Sequence, residues 1–111
     1  MELQGSGGEF EEGSTYIFTC IQTGTTAVST VMFLLNGHNA CTVRPLDTCS
    51  FSPGSPCGCQ SQSSVARVYG FTKTDMKASD AGMWTCSLPA VPELSKPEVK
   101  SNELSLTMIG E

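Results

Sequence analysis

Positive charge is scarce in this sequence: six Lys and Arg stand against eleven Asp and Glu, a formal charge of -5 over 111 residues. A nucleic-acid binder must supply clustered cations to displace phosphate counterions, and an anionic membrane surface asks the same, so both partners are disfavoured. Histidine is scarcer still, with His38 alone. One histidine by itself sets up no Ser-His-Asp triad, the carboxylates are sparse and unclustered, and no Gly-rich phosphate loop occurs; no enzyme and no cofactor are expected. Long hydrophobic runs are missing too. The longest, Val31 to Leu35, is strand-sized against the roughly 20 residues of a bilayer span, so the fragment is expected to make no membrane contact. Apolar residues nowhere recur at helical spacing over three turns. The opening Met1-Glu2-Leu3-Gln4 lacks the charged start and apolar stretch of a signal peptide, which leads us to expect a mature fragment.

What the chain has in abundance is cysteine, six residues in all. A high, even count in a short chain points to an oxidising compartment, and hence to an extracellular location, secreted or at the cell surface. The length suits one domain, and the 39% hydrophobic content is enough for one core.

Strand signals run along the chain. The Gly-rich, acidic stretch from Gln4 to Glu12 reads as a frayed edge strand or an irregular lead-in that adds little core. Thr15 to Ile21 is dense in β-branched and aromatic residues; with Cys20 inward, the period of two sends Tyr16 and Phe18 inward and Thr15, Ile17 and Thr19 outward. Val31 to Leu35 is a central strand ending at Asn36-Gly37, a dipeptide that favours tight hairpins. Asn39 to Ser64 follows no regular pattern and contains Cys41, Cys49, Cys57 and Cys59. Strand character returns at Val65 to Tyr69 and runs less regularly to Thr74; Asp75 to Gly82 reads as a turn and Met83 to Leu88 as another strand. Prolines 89, 92 and 97 mark a loop, and Glu103 to Ile109 alternates polar with apolar as a closing strand. Short strands between turn signals predict an all-β sandwich.

The stretch Ser79-Asp80-Ala81-Gly82-Met83-Trp84-Thr85-Cys86 resembles the Asp-x-Gly-x-Tyr-x-Cys signature of immunoglobulin domains of the variable or intermediate type. Glu12 to Cys20 is similar to that family's B strand, Phe33 to Gly37 to its C strand and Leu104 to Gly110 to its G strand. The resemblance implies an immunoglobulin-like two-sheet sandwich over residues 1–111, closed by a disulfide between Cys20 and Cys86. It also implies an Arg partner for Asp80, with Arg67 the first candidate and Arg44 the second. Phe33 stands where the family's core Trp would be. Trp84 stands in place of the corner Tyr, and an indole can only donate and reaches differently. The Phe-x-Gly-x-Gly bulge of antigen-receptor variable domains is absent.

With Cys20 and Cys86 paired, four cysteines remain between strands C and E. Cys57 and Cys59 flank Gly58 too closely to bridge each other, leaving Cys41 with Cys57 and Cys49 with Cys59, or Cys41 with Cys59 and Cys49 with Cys57. Either choice makes 41–59 a disulfide-rich insert able to replace the usual C', C'' and D strands. A competing zinc reading takes His38, Cys41, Cys57 and Cys59 as ligands, against the spacing and the oxidising compartment; no metal is expected.

The resemblance implies a recognition or adhesion module of an invertebrate cell-surface receptor that binds a protein ligand or a second copy of itself as a weak homodimer. The alternatives are a secreted immune recognition protein, resembling the immunoglobulin regions of fibrinogen-related lectins, and a structural spacer. Two surfaces are candidates: an outward apolar set of Met32, Leu34 and Met83, and the Pro-rich loop with Val91 and Leu94.

Overall fold

The structure, a computed structural model, describes residues 1–23, 30–43, 56–63, 65–89 and 98–109. Among these residues the strands are β1 (Glu2–Gly5), β2 (Glu9–Phe10), β3 (Tyr16–Thr23), β4 (Val31–Leu35), β5 (His38–Val43), β6 (Cys57–Gln62), β7 (Ala66–Lys73), β8 (Gly82–Leu88), β9 (Val99–Lys100) and β10 (Leu104–Met108). They form an immunoglobulin-like sandwich of two sheets. One sheet has the order β1-β3-β7-β6, and the other runs β2-β10-β8-β4-β5, with β9 beside β8.

Side-chain alternation sets the facing of β3. Tyr16, Phe18, Cys20 and Gln22 are buried while Ile17 is exposed, as the period of two requires. Opposite them in register on β7 stand Lys73, Phe71, Tyr69 and Arg67. The resulting core is aromatic. Phe18 lies 4.3 Å from Trp84 and 5.5 Å from Phe71 between ring centroids, and Phe33 lies 5.5 Å from Phe71. Offset and tilted arrangements at this spacing favour ring quadrupoles beyond the area they bury.

The β4–β5 hairpin turns on Asn36 and Gly37, with φ of 51° and 84°. Two successive positive φ values match a two-residue turn whose twist suits the flanking strands. Asn36 also continues the sheet beyond the end of β4: its N–H donates to the Met83 carbonyl at 2.8 Å, and its Oδ1 accepts the Met83 N–H at 3.0 Å. This contact explains Gly82, whose φ is 146°. A Cβ there would come within 2.8 Å of the Asn36 side-chain amide.

The N-terminal residues stand at sheet edges, as expected, but they are paired and contribute to the core rather than fraying. β1 pairs antiparallel with β3, the chain crosses between sheets, and β2 pairs parallel with β10. Leu3 and Phe10 are both buried in the core. Asn102 fastens the first strand, its Oδ1 accepting the Leu3 N–H at 2.8 Å and its Nδ2 donating to the Leu3 carbonyl at 3.1 Å. A side-chain amide here replaces a neighbouring strand's backbone.

The cysteine-rich segment lies between β4 and β7, but its two ends are regular strands rather than replacements for them. β5 pairs with β4, and β6 pairs with β7. Cys-Gly-Cys-Gln-Ser-Gln has little intrinsic strand preference, so its conformation comes from pairing and cross-linking.

Candidate functional site

The motif from Asp80 to Cys86 builds a closed corner at one end of the sandwich. A short 3-10 helix, Ala78–Asp80, delivers Asp80 to the base of β8. The Asp80 carboxylate accepts the Lys77 N–H at 2.9 Å, and the Asp80 carbonyl accepts the Trp84 indole N–H at 2.9 Å. Trp84 thus makes from a different atom the kind of backbone bond that a corner Tyr makes with its hydroxyl. Met76, fully buried, closes the core beside this corner, tied by its N–H to the Ser14 carbonyl and by its carbonyl to the Gly13 N–H.

The ion pair at this corner is not the expected one. Lys73 Nζ lies 3.5 Å from Asp80 Oδ2. Arg67 sits six positions earlier on β7, about 20 Å away at strand rise, and cannot reach Asp80. Arg44, the second candidate, lies outside the described residues.

Among the described residues, two bridges join the sheets. Cys20–Cys86 links β3 to β8 with both residues fully buried, and Cys41–Cys57 links β5 to β6. β5 ends one sheet's strand order and β6 ends the other's. Phe33 stands between the bridges in its own sheet, in register with Cys86 on one side and Cys41 on the other. Of the two pairings open for the extra cysteines, the one containing Cys41–Cys57 is realised. Cys59 is also disulfide-bonded, and Cys49 lies outside the described residues. With their sulfurs oxidised, Cys41, Cys57 and Cys59 cannot serve as thiolate ligands, which removes the zinc reading.

The outer face of the six-stranded sheet carries the expected set, but not as a continuous apolar patch. Leu34 is only 9% exposed and Met32 is half-buried, whereas Met83 is 43% exposed. Met83 lies on the central strand β8, opposite Ser105 of β10. Burial therefore leaves Met83 as the main accessible apolar member. Val91 and Leu94 lie outside the described residues.

The segment joining β9 to β10 contains an irregularity that its sequence did not signal. Ser87 faces Lys100, yet Trp84 faces Leu104, so one extra residue is accommodated between them. Ser101 fills the gap: its N–H donates to the Cys86 carbonyl, and its Oγ accepts the Cys86 N–H, each at 2.9 Å. The antigen-receptor motif is absent, but a bulge occurs nonetheless, held by Ser101 and Asn102. No family model and no curated protein matches the chain.

Proposed function

We propose that this chain is a domain of the immunoglobulin superfamily, of the variable or intermediate type, and works as an extracellular recognition or adhesion module that binds a protein partner. The sheet order, the central inter-sheet bridge and the Trp84 corner support the family reading. The observation that carries the functional one is Met83, a large apolar side chain held in solvent on the central strand of a disulfide-bridged sandwich. Apolar side chains on rigid sheets make inexpensive contacts, because little conformational freedom remains to be lost on binding.

Sedimentation velocity across a concentration series tests the homophilic version. The expected result is a weak, reversible dimer that Met83→Glu abolishes while leaving the unfolding transition unchanged. Leu34→Glu is the wrong probe, since its buried site couples any binding defect to folding. A strict monomer at every concentration eliminates self-association through this face.

A further inference from the structure

The pairing of Lys73 with Asp80 leaves Arg67 without the partner its sequence suggested. Among the described residues, Lys73, Lys77 and Lys100 each have an ion pair, and Arg67 is the Lys or Arg side chain that has neither an ion pair nor a hydrogen bond. It is half-buried. No described side-chain nitrogen or oxygen is both fully buried and unpaired, so the guanidinium nitrogens keep contact with water.

Its surroundings are polar and fixed. In register, Arg67 stands between Gln22 on β3 and Gln62 on β6, forming a row of three polar residues across three strands. The next inward row contains Tyr69, whose hydroxyl donates to Gln22 Oε1 at 3.2 Å. The row lies at the end of the sandwich where β3 leaves and β4 enters. No carboxylate belongs to it, although the chain has eleven.

We propose that Arg67 is an anchor for a carboxylate on the protein partner, an exposed Asp or Glu side chain, with Gln62 supplying a flanking amide. This rests on the recognition reading above. A guanidinium presents a planar fork of donors that matches a carboxylate in two parallel bonds. Partial desolvation strengthens that pairing, and the strand position limits the ordering required. A net charge of -5 disfavours a polyanion, so a single carboxylate on an otherwise neutral surface is the matching ligand.

The test follows the Arg67 Nε–H resonance of the whole chain during titration with acetyl-Gly-Glu-Gly-amide, with acetyl-Gly-Gln-Gly-amide and with sodium glucuronate at constant ionic strength. The expected result is a saturable shift with the Glu peptide, with a dissociation constant on the order of 1 mM and at least about tenfold weaker binding of the Gln peptide. Arg67→Gln removes the response, read at Gln62 and Tyr69, and Arg67→Lys weakens it, in variants whose Trp84 emission and urea midpoint match the parent. Equal responses to both peptides, a shift that never saturates, or saturation by glucuronate alone overturns the proposal. A Met83-dependent dimer together with an unresponsive Arg67 removes this inference and leaves the recognition reading standing.

Discussion

Replacing Cys41 and Cys57 together by Ala isolates the contribution of the bridge between β5 and β6, because Cys20–Cys86 and the disulfide of Cys59 remain. The two residues are 16 apart in sequence. The loop-closure relation assigns about 3 kcal/mol to a cross-link of that span, released as entropy of the unfolded chain. With a urea m-value of about 1.5 kcal/mol/M, the midpoint falls by about 2 M. The slope rises as well, since an unfolded chain with one constraint fewer exposes more surface. Trp84 is the sole tryptophan and is fully buried, so its emission follows the transition directly. A midpoint shift below about 0.5 M with an unchanged slope would falsify the reasoning, and would mean that the strand ends stay associated in the unfolded state without their bond.

Three further outcomes are expected. Trp84→Phe leaves the Asp80 carbonyl without its donor and loses ring volume, costing about 3 kcal/mol in urea unfolding followed by circular dichroism, while Trp84→Tyr, which regains a donor, costs less; equal losses refute the role of the indole bond. Asn102→Ala releases β1, and hydrogen exchange at Leu3 should accelerate well before the β3–β7 ladder opens; unchanged protection at Leu3 counts against the amide clasp. Burial holds the Tyr16 phenol above its ordinary 10.0. The stability this group contributes is therefore complete below the unfolded value and declines as pH rises through the folded one. Carbon NMR of the Tyr16 ring under alkaline titration checks it, and ionisation at or below 10.0 contradicts it.

What the sequence reveals depends on whether a residue's neighbours are close along the chain. The inward phase of β3 and the Asn36-Gly37 hairpin follow from adjacent residues, and both are readable. The partner of Asp80 depends on which β7 residue comes level with the Ala78–Asp80 turn, a matter of register that no local pattern encodes. Expecting Arg67 where the structure has Lys73 misplaces the ion pair by the length of a strand. Leu3 and Phe10 were missed for a related reason: each is a single apolar anchor among Gly and Glu, with no run of neighbours to mark it. β6 is harder still, since its pairing partners and its bridges supply what its composition lacks. For the candidate site, the apolar identity of Met32, Leu34 and Met83 was legible. Their unequal exposure was not, because it depends on what packs above the sheet.

The central bridge also sets how far the molecule can be drawn out by tension between its ends. Fully extended, 111 residues would reach about 380 Å at roughly 3.4 Å each. Cys20–Cys86 shortcuts a sequence separation of 66 residues, so mechanical unravelling releases only the remainder, about 150 Å. The aromatic core lies largely inside the covalent ring. A pull that strips β1, β2 and β10 from the sandwich therefore stops at the disulfide, with Phe33 and Phe71 still held within a tethered loop and able to reassemble when the force is withdrawn.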